Sequence, residues 1–233
     1  MNRSARRKML KAVGIIMVVM LPVMLALWFA QLRAVSEISA QLRTFAELAL
    51  NKTERVIQQV DLAREDAEKY QGKVCTPEHR QYMLNVSRGR LFVADLIYAE
   101  GQSFLCSTLF TPDHPYTIPA ANYTRKPDVA IYYFRDTPFF TGYKMIYMQR
   151  GNYVAVVNPL SYSEVMSDDR SLSWGVYDTV SNAFFSVSQK ANISLLHSML
   201  RHQETTFQKG DRFYTIVKSG QRPIAAIVST SSA

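Results

Sequence analysis

Two cysteines stand in 233 residues, Cys75 in GKVCTPEHRQ and Cys106 in FLCSTLF. A thiol pair can close a disulfide or contribute to a metal site. Zinc would require further ligands at short spacing, and His79, His114, His197 and His202 are scattered without it, so no metal site is expected. Catalytic signatures are missing as well: there is no G-x-S-x-G, H-E-x-x-H, P-loop or G-x-G-x-x-G, and Ser107 has no identifiable base. The acidic pairs Glu65-Asp66 and Asp168-Asp169 sit among polar residues and read as solvated surface. The aromatic run IYYFRDTPFFTGY offers Tyr132, Tyr133, Arg135 and Asp136 as a pocket lining, although a core strand with its turn accounts for it more simply.

The elements around these residues start with a charge asymmetry. Arg3, Arg6, Arg7, Lys8 and Lys11 carry five of the eight net positive charges, so the remainder holds 8 − 5 = +3. No basic, aromatic-interleaved block follows, and nucleic acid is not an expected partner. Residues 12–30, AVGIIMVVMLPVMLALWFA, are uncharged throughout. As a helix they extend about 28 Å, close to the hydrocarbon thickness of a bilayer. A core helix would need a polar face, and a cleaved signal would end in a small-residue site, which LWFAQLRAV does not provide. A retained membrane helix over 12–31 is therefore predicted, with a cytoplasmic basic tail at 1–11 and Trp28 at the interface. By the positive-inside rule residues 32–233 lie beyond the membrane, which in a bacterium is the periplasm.

In that oxidising compartment two cysteines favour pairing over free thiols. A Cys75–Cys106 link would be worth roughly 3 to 4 kcal/mol by chain entropy. It could serve as a structural staple or as a redox switch; a domain of this size does not need a staple in order to fold.

Residues 31–70 read as one long helix continuing the membrane span, with Leu32, Val35, Ile38, Leu42, Phe45, Ala49, Val56, Val60 and Ala63 recurring at threes, fours and sevens. That face can pack on its own domain or on a second protomer. It places Cys75 at the helix end. A second helix starts with Thr76 as N-cap and Pro77 in the first turn. RLFVADLIYAEGQSFLCSTLF reads as a hairpin about Glu100-Gly101 with Cys106 on its second strand. Further strands are predicted at 129–135, 143–149, 152–158, 173–179, 212–218 and 223–229, helical segments near 159–166 and 193–203, and a proline-rich loop at 111–127. No internal repeat is visible. The sum is α+β, a long helix followed by a mostly antiparallel sheet with short helices, and by analogy a PAS or Cache-like sensor.

The segments YQGKVCTPEH, FLCSTLF, QLRTFAELAL, SEVMSDD, WGVYDTV, RPIAAIV and IYYFRDTPFFTGYKMIYMQRGNYVAVVNPL, taken together, resemble the N-terminal region of the CSS-motif cyclic-di-GMP phosphodiesterases of enterobacteria. The naming motif reads Cys106-Ser107-Thr108 here, keeping a hydroxyl at the third place. The resemblance implies an inner-membrane anchor and periplasmic sensor. It further implies oxidation of Cys75 and Cys106 by the periplasmic disulfide-forming machinery, with the bond restraining and free thiols releasing an EAL phosphodiesterase. A homodimer through the membrane and juxtamembrane helices is expected. A divalent metal such as Mg belongs to the EAL part of such proteins; these residues contain no Glu-Ala-Leu motif and no cofactor of their own is expected. The alternative is a periplasmic small-ligand receptor with a purely structural disulfide.

Overall fold

The computed structural model describes residues 3–109, 111–125, 129–137, 140–163, 172–180, 182–188, 193–199 and 206–231. One helix, α1 (Arg3–Ala67), joins the apolar run to the domain without a break, Pro22 included. At 1.5 Å per residue it is about 98 Å long. Its stretch beginning at Met20 contains an 18-residue window of mean hydropathy 1.3, none of it buried within the protein. Leu32 and Val35 remain exposed.

From Leu42 onward the helix is half-sunk. Leu42, Ala46, Ala49, Thr53, Val56, Val60, Ala63 and Ala67, alternating four and three residues apart, are all at most 2 % exposed. Such a seam keeps one stripe of a helix against a packed surface. Most of its side chains are small, which allows the strands behind it to approach closely. The sequence reading placed Phe45 on this stripe, but Phe45 lies only at its edge and Ala46 and Thr53 fill the seam.

The remaining elements form two antiparallel sheets. The first half contains α2 (Pro77–Arg88), β1 (Asp95–Glu100), β2 (Ser103–Ser107), β3 (Tyr116–Thr117), β4 (Tyr123–Arg125), β5 (Val129–Thr137), β6 (Phe140–Arg150) and β7 (Tyr153–Val157). α3 (Leu160–Ser163) leads to the second half: β8 (Ser173–Asp178), β9 (Ala183–Val187), α4 (Ile193–Met199), β10 (Thr206–Lys209), β11 (Arg212–Lys218) and β12 (Ile224–Ser231). The strand orders are β3-β2-β1-β7-β6-β5-β4 and β10-β11-β12-β8-β9.

Without the short edge strands β3 and β4, the two orders are one permutation. Each sheet opens with a hairpin, closes with a three-strand meander, and pairs its first strand with its last, β1 with β7 and β8 with β12. The region expected to be one domain on one sheet thus repeats its wiring, although no sequence repeat announces it. Burial needs only the period-two pattern, which many different residues satisfy.

Most predicted strands lie where expected; 212–218 coincides with β11. β3 and β4 fall inside the anticipated proline-rich loop, since two- and three-residue strands carry no readable alternation. β9 and β10 were likewise not anticipated.

α1 is fastened to both halves. Ser219 donates to Glu54, and Arg222 in the β11–β12 turn pairs with Asp61 at 3.0 Å. Nearer the end of α1, Arg90 pairs with Asp66 and the Tyr82 hydroxyl donates to the Asp66 carbonyl at 2.7 Å.

Candidate redox site

α1 ends at Ala67, earlier than the sequence suggested, so Cys75 lies in the corner between α1 and α2 and not at the end of the long helix. Thr76 caps α2 by accepting from the His79 N–H at 3.3 Å, with Pro77 in the first turn, as the sequence indicated. This cap fixes Cys75 one residue before it. Cys75 adopts φ 59°, a left-handed backbone uncommon for a residue with a side chain.

Cys106 occupies the centre of the β1–β2 ladder, opposite Tyr98 and fully buried. Cys75 and Cys106 are joined in a disulfide with Cα atoms 5.6 Å apart. The bond therefore connects the helical corner to the second strand of the first sheet.

His79 was not singled out as a partner of the cysteines, yet it completes the site. The Cys75 backbone N–H donates to its Nδ1 at 2.9 Å, and its Nε2 lies 3.0 Å from the Tyr153 hydroxyl on β7. With Nδ1 accepting, Nε2 carries the proton and donates to Tyr153. Tyr70, Tyr98 and Tyr153 surround the ring, with centroids 4.6, 5.4 and 5.9 Å away. Burial pulls the His79 pKa down, which favours the neutral ring, and burial chiefly pushes the Tyr153 hydroxyl up to about 12. The ligand atoms of Cys75, His79 and Cys106 all lie within 4.8 Å of one another, the one such group among the described residues. The signal in the sequence was Cys75-x-x-x-His79 across the Thr76 cap, a spacing that sets His79 in the first turn of α2 with its ring back toward the Cys75 N–H.

The two hydroxyl residues after Cys106 act on a different partner. Asp95 at the start of β1 is fully buried, and its Oδ1 accepts from the Leu96 N–H, the Thr108 N–H and the Thr108 hydroxyl. Ser107 Oγ accepts from the Leu109 N–H at 3.1 Å. Burial raises the Asp95 pKa, against the opposing donors from Thr108, Leu96 and Ser107. Asp95 could have been suspected as the lone acid within the apolar run FVADLIYA.

The aromatic run is packed differently from a pocket lining at Tyr132. That side chain is buried in a cluster with Ile97, Phe104 and Tyr147, and its hydroxyl donates to Gln149 at 3.0 Å. The side chains of Tyr133, Arg135 and Asp136 lie outside the described residues. An open polar groove of about 360 Å³ occurs elsewhere, lined by Asn51, Glu54, Arg55, Gln58, Gln221 and Arg222.

A long helix bearing two PAS-ordered sheets is the fold of extracellular sensor domains. The chain matches the extracellular domain of the putative histidine kinase rpHK1S-Z16 with a TM-score of 0.55 and 10 % identity, over 87 % of this chain and 96 % of that one. It matches the ligand-binding domain of the Campylobacter jejuni chemoreceptor Tlp3, solved with L-norvaline, at a TM-score of 0.51 and 10 % identity, over 85 % and 92 % respectively. Residues 39–233 match the family described as the CSS motif domain associated with EAL, and the chain belongs to that family. It is 24 % identical over 152 residues to the probable cyclic di-GMP phosphodiesterase PdeB of Escherichia coli K12. That match takes in 65 % of this chain but 30 % of the relative, so the chain spans under a third of the relative's length.

Proposed function

We propose that this chain is the membrane-anchored redox sensor of a cyclic-di-GMP phosphodiesterase, with a cytoplasmic N-terminus and the residues after about 31 in the periplasm. The Cys75–Cys106 disulfide restrains the attached EAL domain, and free thiols release it. One observation carries the reading: the bond ties the corner beyond α1, where Cys75 has a left-handed backbone, to β2. Opening it removes the one covalent tie between the corner and the sheet and lets the corner move against β2. Reduction takes two electrons and two protons from a dithiol, which is itself oxidised to a disulfide; the periplasmic disulfide-forming machinery reverses the step. A homodimer through the membrane and juxtamembrane helices would use the exposed Leu32 and Val35. Any divalent metal would belong to the EAL domain.

The test uses the full-length phosphodiesterase in membranes. Hydrolysis should be low when oxidised, and high both after reduction and in a Cys75→Ala, Cys106→Ala double variant. Equal rates in all three overturn the redox reading.

A second reading, a small-ligand receptor with a structural disulfide, draws on the polar groove at α1. A metabolite that raises the melting temperature of oxidised and reduced protein equally, and loses the effect in Arg55→Ala, would support it.

A further inference from the structure

We propose that reduction of the Cys75–Cys106 bond creates a Zn²⁺ site whose ligands are the two sulfurs and Nδ1 of His79, so that metal captures the opened sensor. The inference rests on the reading that the bond opens in function, but not on control of a phosphodiesterase.

The three ligand atoms already lie within 4.8 Å of one another. Two thiolates bound at about 2.3 Å to a tetrahedral Zn²⁺ sit roughly 3.8 Å apart, a separation that fits inside this span. The imidazole is prepared for the task. Nδ1 bears the lone pair, directed at the Cys75 N–H, while Nε2–H is held by Tyr153. A ligating histidine characteristically donates its other N–H to such an outer partner, which fixes both tautomer and ring plane. The Cys75 N–H can withdraw when that residue leaves its left-handed backbone.

The surroundings select the ion. Tyrosine rings pack around the imidazole, and among the described residues no carboxylate joins the three ligand atoms, a donor set that does not suit Mg²⁺ or Ca²⁺. Two thiolates and one Zn²⁺ sum to zero charge. A neutral complex suits a site in which Cys106 and His79 are fully buried, while half-buried Cys75 leaves a way in. The balance is simple: the dithiol reductant leaves two thiols, and Zn²⁺ displaces their two protons into solvent.

The experiment uses the full chain in detergent micelles, reduced with a phosphine that is then removed without oxygen. Thiols are counted on one portion. Zn²⁺ is titrated into another against a chelating dye, and Co²⁺ into a third to record sulfur-to-metal absorption. Two thiols and one Zn²⁺ per chain are expected in reduced protein, with no binding to oxidised protein. Tyr153→Phe should weaken affinity on the order of tenfold, and His79→Gln, which keeps the Tyr153 contact but loses Nδ1, by more. Cys106→Ser should abolish the Co²⁺ absorption, and circular dichroism of each variant reports its fold. Two thiols without stoichiometric Zn²⁺, or His79→Gln binding as tightly as wild type, overturns this inference alone. Failure to generate thiols in folded protein overturns the redox reading and the zinc site together.

Discussion

Thr108 donates twice to one oxygen of Asp95, once from its backbone N–H and once from its hydroxyl, with both residues buried. The third place of the motif is thereby assigned a physical task, holding the only carboxylate at the start of β1. A threonine can serve in place of a serine because the contact is made by the hydroxyl.

Replacing Thr108 with Val removes that hydroxyl and keeps the shape. The loss should be about 1 to 3 kcal/mol, because a buried acceptor is left underused. Thr108→Ser should stay close to wild type. Urea unfolding of the two variants checks the contrast, and an equal loss in both would assign the effect to packing.

Asp95 makes stability depend on pH in a set direction. Its pKa is raised in the folded protein by burial. As pH rises above about 3.9, the unfolded chain releases this proton while the native one holds it, so stability falls until the native carboxyl also ionises. Asp95→Asn removes the proton, and its urea midpoint should gain on wild type across that window. A constant gap would show that Asp95 does not titrate there.

The disulfide closes a sequence separation of 31 residues. Its removal in the Cys75→Ser, Cys106→Ser double variant should cost roughly 3 to 4 kcal/mol on the chain-entropy account. Melting curves of oxidised wild type against the double variant measure it. The domain should remain folded, since the buried clusters beneath α1 and on both sheets extend well beyond the two cysteines.

Arg64 is 1 % exposed, and burial lowers its pKa; Asp61 is its ion-pair partner and also holds Arg222. Asp61→Asn strands a buried cation and should cost about 3 kcal/mol or more, whereas Arg64→Met removes the charge and should be much milder. Thermal unfolding ranks the two; a larger loss for Arg64→Met would overturn the ordering.

The sequence made much of this molecule legible where one residue pattern dictates one outcome. The uncharged run, the 3–4 spacing along α1, Thr76-Pro77 at a helix start and the Glu100-Gly101 turn all act locally. The site was half legible. Two cysteines name each other when there are only two, but His79 reaches Cys106 because the sheet brings β2 beside α2, and Tyr153 because β7 pairs with β1. No spacing along the chain encodes that. The duplicated strand order was invisible for a related reason: pairing is made by backbone groups, which are the same whatever the side chains.

The inner stripe of α1, mostly alanine, threonine and valine, presents low ridges to the strands. Turning the helix would lift Leu50 and Ile57 out of the core. Burial therefore sets the rotation of α1, and the polar contacts of Glu54, Asp61 and Asp66 set its position lengthwise.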